Sequence, residues 1–298
     1  MKYRRDEMIE KLRLDPSFGE KLWGAFGFTH SPDGEASFTE EDLAALAVFV
    51  GSDGEMDPAA QLAAARVIGQ STARLAEWQA DQIHALAANP NVPQTTDELA
   101  AAVAHVLELV WRRHLDNFLA YQDEAAADSP DAEGVELIIG FADIVGYTAL
   151  SRRLGLHELA ALLDTFESGA YTVINRHGGQ IIKAIGDAVM FTAPTPSAAA
   201  AMALELHDLG EDDDLLKLRV GLAAGTALTR LGDVFGEPVN IAARLASSAH
   251  EGKTLIDEHL AEALAEDRSL YLRNVSALSV RGYRRLRATS LARNRRSS

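Results

Sequence analysis

Apolar positions recur every three or four residues through residues 1–121, then give way to short alternating or continuous apolar runs. The first pattern predicts helices and the second a mixed α/β region. In the first part Met8, Ile9 and Leu12, and then Leu22, Trp23 and Phe26, fall at helical spacing about a turn at Asp15-Pro16. His30 to Gly34 reads as a loop. Thr39, with Asp42 three residues on, opens a helix carrying Leu43, Leu46, Val48, Phe49 and Val50, which Gly51-Ser52-Asp53-Gly54 stops. Asp57-Pro58 starts a long helix to about Ala88, with Leu62, Val67, Leu75 and Trp78 as core candidates. Asn89-Pro90 to Pro93 breaks it. Thr95 and Glu98 cap a last helix through Val103, Val106, Leu109, Val110 and Phe118.

The second part begins with a strand at Val135 to Phe141, followed by one or two helices between Ala149 and Arg176. Gln180 to Ala184 and Ala188 to Thr192 form a hairpin about Ile185-Gly186-Asp187. An alanine-rich helix spans Pro194 to Leu209, and Glu211 to Asp214 is an acidic loop. Leu216 to Gly225 is a strand, Ala227 to Gly232 another, and Pro238 to Ser248 a helix. Thr254 to Asp257 and the Tyr271 to Leu286 region add closing strands. The order β-α-β-β-α-β is the ferredoxin-like arrangement with additions, preceded by an all-α region, so the fold class is α+β. Between the two parts, Gln122 to Gly134 holds Asp123, Glu124, Asp128, Asp131 and Glu133 among alanines and has little to bury. The expected organisation is a helical domain over 1–121, an acidic linker over 122–134 and an α+β domain over 135–298.

Bulk composition narrows the function. A formal charge of −16 on 298 residues argues against a general nucleic-acid binder, which needs a basic face. The chain has no cysteine, hence no disulfide framework and no thiolate nucleophile or metal ligand. Met1 to Glu10 lacks the apolar core of a signal peptide, and no run of about 20 apolar residues exists to span a bilayer. A cytoplasmic protein without a transmembrane segment is expected.

Three clusters carry chemistry. Asp143 ends the first strand and leads through Ile144, Val145 and Gly146 to Tyr147 and Thr148 at a helix start. There a carboxylate offers hard oxygen ligands and unpaired amides face an anion. The hairpin turn Gly186-Asp187 presents a second carboxylate, and two carboxylates from neighbouring strands suit a pair of Mg²⁺ or Mn²⁺ ions shared with phosphates. In the third cluster, Asn240 and Arg244 lie four apart on one helix face, where a guanidinium beside a carboxamide suits charge developing on a phosphoryl group. Asp233 precedes that helix, and with Lys183 it suits a base edge presenting a ring-nitrogen acceptor and an amino donor. Taken singly, Lys183 is an ordinary strand lysine, Gly186-Asp187 and Gly232-Asp233 are ordinary turns, and Arg244 is an ordinary helix cation. Their joint spacing sets them apart.

Those motifs, Phe141-x-Asp143-Ile144-x-Gly146-Tyr147-Thr148, Lys183-x-x-Gly186-Asp187 and Gly232-Asp233-x-x-Gly236-x-x-Val239-Asn240-x-Ala242-x-Arg244, resemble the class III nucleotidyl cyclase catalytic domain from about Glu136 to Leu286. The resemblance implies metal binding at Asp143, Ile144 and Asp187, with two Mg²⁺ or Mn²⁺ per site, and substrate contacts from the amides of Ile144 to Thr148. It also implies adenine selection by Lys183 and Asp233 and transition-state contacts by Asn240 and Arg244. Guanylyl members carry Glu in place of Lys183 and Cys or a similar residue in place of Asp233. The implied reaction converts ATP to 3′,5′-cyclic AMP and pyrophosphate, in head-to-tail homodimers whose sites lie at the interface.

The stretches Leu22 to Phe28, Phe38 to Asp42 and Ala73 to Gln79 resemble the helical regulatory region that precedes the cyclase in one bacterial subgroup. That region can inhibit catalysis, in some members according to pH, and its regulatory ligand is not readable here. His84, His105 and His114 are candidate pH sensors, against the plainer reading of solvated helix histidines. Two rival readings are a catalytically silent nucleotide sensor and a diguanylate-type cyclase, although the Gly-Gly-Asp/Glu-Glu-Phe signature of the latter is missing. The arginines from Arg281 to Arg296 suit either a solvated basic terminus or contact with anionic lipid.

Overall fold

A computed structural model describes residues 2–28, 37–51, 57–126, 134–210, 215–230, 232–280 and 282–294. The chain divides into two compact units, Met1–Pro130 and Asp131–Ser298. Several sequence expectations lie outside the described residues: the His30 to Gly34 loop, Ser52 to Gly54, most of the acidic segment, the Glu211 to Asp214 loop, Leu231, and Arg281, Arg295 and Arg296.

In the first unit, β1 (Lys2–Tyr3) pairs antiparallel with β2 (Phe38–Thr39), around helices α1 (Arg5–Lys11) and α2 (Pro16–Phe26). Asp15 caps α2, accepting from the Phe18 amide at 3.0 Å. The two-residue ladder corrects the all-α expectation. Pairing over so few residues, from segments so far apart in the chain, leaves no alternation to read. Helix α3 (Glu40–Val50) starts with the expected reciprocal cap, Asp42 N donating to Thr39 Oγ1 at 3.2 Å and Thr39 N to the Asp42 carboxylate at 2.7 Å. Tyr3, Met8, Ile9 and Trp23 form the core, with Phe28 and Phe38 rings tilted against Trp23 at 5.6 and 5.2 Å.

Helices α4 (Pro58–Ala87) and α5 (Thr96–Ala126) follow, and α5 runs five residues into the segment expected to be a linker. Alanine and glutamate there favour helix enough to extend it. Trp78, expected in the core, is 58% exposed, and Val48, Val106, Leu109 and Val110 on the other helices are exposed as well. Helical period shows which residues share a face but not whether that face is covered.

The second unit is a helix–sheet–helix layering. Its elements are β3 (Val135–Ile144), α6 (Tyr147–Arg153), α7 (Leu156–Arg176), β4 (Gln180–Ile185), β5 (Ala188–Ala193), α8 (Pro196–Asp208), β6 (Leu218–Arg230), β7 (Asp233–Phe235), α9 (Glu237–Ser248), β8 (Thr254–Ile256), α10 (Glu258–Ala263), β9 (Leu270–Asn274), β10 (Leu278–Val280), β11 (Tyr283–Leu286) and β12 (Thr289–Arg293). The sheet order is β4-β5-β3-β6-β8-β12-β9, and its first four strands are antiparallel neighbours in the ferredoxin-like order. β6 runs unbroken to Arg230, where two strands were expected, while β12 and α10 were not anticipated at all.

Side chains alternate across β3. Ala142 and Ile144 enter the core under α7 and α8 with Phe166, Ile174, Met202 and Leu206. Ile139 and Phe141 enter a smaller core with Ala242 and Ala246 of α9. Gly221 on β6 permits the second contact, because a Cβ there would stand 2.2 Å from Ala246 N and 2.3 Å from Ala242 O, both backbone atoms. The helix backbone cannot swing aside as a side chain would. Gly221→Ala is therefore expected to destabilise the second unit by about 2 kcal/mol or more and to lower its melting temperature, as read by thermal denaturation.

Candidate active site

The alternation that puts Phe141 under α9 puts Asp143 on the same side of the sheet. Arg219, its cross-strand neighbour on β6, donates Nε to the Asp143 carboxylate at 2.7 Å and Nη1 to the Ser247 carbonyl, at the end of α9, at 3.0 Å. Asp187 in the β4–β5 turn comes next to Asp143, and its main-chain oxygen accepts from the Ile144 amide at 3.1 Å. Burial raises the Asp143 carboxyl above its ordinary range. Arg219 opposes that rise, and the charge of Asp187 and a hydrogen bond with it add to it.

The turn after Asp143 departs from expectation in one respect. The amides of Ile144 and Val145 are committed within the fold, to Asp187 O and to Lys217 O at 2.7 Å, and are not free donors for an anion. Both groups sit at the end of β3, where antiparallel strand ends and the hairpin turn draw on them. Gly146 adopts φ 72°, a conformation that glycine reaches without steric cost, and has no side chain to cap α6, so the amides of Tyr147 and Thr148 begin that helix without a side-chain acceptor. The Ile144 side chain is buried at 1% exposure, which leaves only its main chain able to meet a metal.

On the same face, Lys183 on β4 is the cross-strand partner of Met190, and its Nζ donates to both Asp233 oxygens at 2.7 and 2.5 Å. Burial tends to raise the Asp233 carboxyl, but Lys183 and the Val234 amide, at 2.9 Å, outweigh it and hold the group below its usual value. Asn240 is exposed on α9 and donates Nδ2 to Gly236 O at 3.3 Å. Arg244, half-buried one turn further on, lies near Tyr283, whose hydroxyl is pushed up by burial and by Glu237 and held down by Arg244. Among the described residues, no hydrogen bond or ion pair joins Asn240 or Arg244 to Asp143, Asp187, Lys183 or Asp233.

The structure thus brings together two pairs, Asp143 with Asp187 and Lys183 with Asp233, and leaves Asn240 and Arg244 as a third group on α9. Two adjoining carboxylates, one of them desolvated, fit a divalent cation, which would relieve both the repulsion and the burial cost that Arg219 partly offsets here. Among the described residues, no group of three or more His, Asp or Glu forms a closed protein cage. The remaining ligands would therefore have to come from elsewhere, as phosphates and water do for Mg²⁺. Sequence reasoning passed over Arg219, although an arginine between Leu218 and Val220 inside a strand was a legible signal. His84, His105 and His114 are all exposed, which is the plainer of their two readings.

The ferredoxin-like sheet with these motifs at its strand ends and turns is of the nucleotide cyclase class. The family profile described as "Adenylate and Guanylate cyclase catalytic domain" matches residues 132–292. A protein of Glutamicibacter nicotianae named "Adenylate cyclase" is 33% identical over 307 residues, covering 94% of this chain and 76% of the relative. Another "Adenylate cyclase", of Streptomyces coelicolor, is 37% identical over 260 residues, covering 83% and 68%. A "pH-sensitive adenylate cyclase" of Mycobacterium tuberculosis is 31% identical over 176 residues, covering 59% and 44%. The chain belongs to the adenylate and guanylate cyclase family. Among the described residues, no helix is long and apolar enough to cross a membrane.

Proposed function

We propose that the chain converts ATP to 3′,5′-cyclic AMP and pyrophosphate at sites built between two copies arranged head to tail, under the control of the helical first unit. The observation that supports this reading is the pairing of Lys183 with Asp233 on the sheet face that also carries the adjoining Asp143 and Asp187, with no hydrogen bond or ion pair among the described residues tying Asn240 or Arg244 to either pair. One copy contributes Asp143, Asp187 and the turn to Thr148, and the other Lys183, Asp233, Asn240 and Arg244, so a symmetric dimer has two equivalent sites.

Asp143 and Asp187, with the Ile144 main chain, would hold Mg²⁺ or Mn²⁺, as a pair per site. Bound there, the metal supplies Lewis-acid polarisation of phosphate and of the ribose hydroxyl. Lys183 donates to a ring nitrogen of adenine and Asp233 accepts from its amino group. The salt bridge between them pre-forms this reading edge. The ribose 3′-oxygen bonds to the α-phosphorus, the bond to the bridging oxygen breaks, pyrophosphate leaves, and the hydroxyl proton passes to solvent. Arg244 and Asn240 stabilise the charge that accumulates on the α-phosphoryl oxygens and the leaving group.

The direct test is incubation with ATP and Mn²⁺ and chromatographic detection of cyclic AMP and pyrophosphate. ATP that binds and stays intact would favour the silent-sensor reading. Exchanging Lys183→Glu together with Asp233→Cys is expected to shift the ATP-to-GTP ratio of kcat/KM toward GTP by about tenfold or more, because each replaced group leaves an adenine donor or acceptor unmatched. Control by the first unit is checked by comparing the full chain with residues 134–298 between pH 5.5 and 8. A higher rate from the shorter chain marks inhibition, and equal rates at every pH would remove that role.

A further inference from the structure

Away from the residues so far assigned, a cleft of about 470 Å³ opens between the loop after α9 and strands β9 and β12. Its size is that of a small-ligand pocket. Leu255, Val275 and Leu278 belong to or pack against the apolar cluster beneath α9 and line it. Its polar lining includes three basic side chains, His250 and Lys253 from the loop and Arg273 from β9, and no acid. In a chain with 44 acidic against 28 lysine and arginine residues, a lining with Lys253 and Arg273 and no acid runs against composition. Among the described residues, none of these three side chains is held in a salt bridge. Tyr271 adds a ring that is 55% exposed.

We propose that this cleft is a second ligand site, taking a small aromatic phosphate monoester. The head would lie among Arg273, Lys253 and His250, where a guanidinium fork and an ammonium match a group carrying close to two negative charges. The ring would lie on Leu255, Val275 and Leu278 beside Tyr271. The two cations Lys253 and Arg273, from separate segments, would make the head the dominant source of affinity, with the His250 ring as a further polar partner, and the apolar lining would discriminate the monoester from bare phosphate.

The site is placed to act on α9. Its wall begins at Ser248, the last residue of that helix, and the preceding Ser247 carbonyl accepts from Arg219, which also holds Asp143. A ligand pressing on this end of α9 would therefore bear on the helix that carries Asn240 and Arg244. This coupling rests on the cyclase reading, whereas the binding does not.

The test titrates the full chain with phenyl phosphate by calorimetry, with inorganic phosphate and benzoate as separate arms. One saturable site per chain is expected, with both comparison anions weaker by about tenfold or more. Arg273→Ala with Lys253→Ala should weaken phenyl phosphate by at least about tenfold without moving the melting temperature, since both side chains are exposed. Lys183→Ala should leave its affinity intact, which separates the cleft from the nucleotide site. No saturable heat, unchanged affinity in the double variant, or lost affinity in Lys183→Ala would each overturn the proposal. In the same titration the rate of cyclic AMP formation should change by about twofold or more, and saturation with an unmoved rate would overturn the coupling. Failure to make cyclic AMP without any phenyl phosphate present would instead count against the cyclase reading and leave the calorimetric result standing.

Discussion

Arg244→Ala is expected to lower kcat by about a hundredfold or more, the scale seen when one donor to developing charge is removed, while KM for ATP changes little. Arg244 is half-buried on α9 near Tyr283, and the fold does not depend on it as it does on Gly221. A stable, folded variant with reduced turnover is therefore the expected outcome. The stronger form of the test mixes chains. Asp143→Ala lacks a carboxylate on one side of the shared site and Arg244→Ala lacks the guanidinium on the other, so a mixed dimer assembles one intact site and one doubly damaged one. Activity should reappear on mixing two nearly inactive preparations, approaching a quarter of the wild-type rate where the chains pair at random in equal amounts. Steady-state assays over a range of mixing ratios check this, and a mixture no more active than its parts would show that each chain works alone.

Stability of the second unit is expected to fall on acidification through His207. This side chain closes the last turn of α8, with Nε2 on Thr254 Oγ1 at 2.9 Å and a buried Nδ1 that has no hydrogen-bond partner. Burial lowers its pKa from 6.5 to about 4. Asp208 favours the charged ring, but Lys253 and Arg293 oppose it and desolvation dominates. Because the folded value lies below the unfolded one, folding favours the neutral ring. That contribution is fully present above about pH 6.5 and is lost as the pH drops toward 4. Between pH 7.5 and 5 the loss is about 2 kcal/mol, enough to lower the denaturation midpoint measurably. Chemical denaturation at both values checks it. His207→Gln should lose less stability over the same interval, and identical pH dependence in the two proteins would show that His207 stays neutral or is charged without cost.

That histidine illustrates what could be read early. His207 stands in an alanine-rich helical stretch and looks like any residue of a last turn, where histidine is favoured for its charge. Only packing against β8 removes it from water. The three histidines singled out beforehand, His84, His105 and His114, instead lie on exposed faces of α4 and α5. The site motifs were legible for a different reason. Asp143, Asp187 and Asp233 each stand at a strand end or turn, where period and punctuation both change, and local chemistry ties the residue to its element. Arg219 is the counterexample. Its position in a strand was readable, but its two partners are 76 and 28 residues away and meet it only through register and the approach of α9.

From local periodicity, caps and turns came the division into a helical and an α+β part and the β-α-β-β-α-β order, and from motif spacing and the family resemblance came the six candidate site residues. These depend on neighbours a few residues away, whose energetics the linear chain already contains. Tertiary structure decided the β1–β2 ladder, the commitment of the Ile144 and Val145 amides, the burial of His207 and the exposure of Trp78. It also decided the joining of Asp143 to α9 through Arg219. Each of these follows from desolvation or pairing between segments distant in the chain, where the outcome depends on which surface arrives and whether water remains.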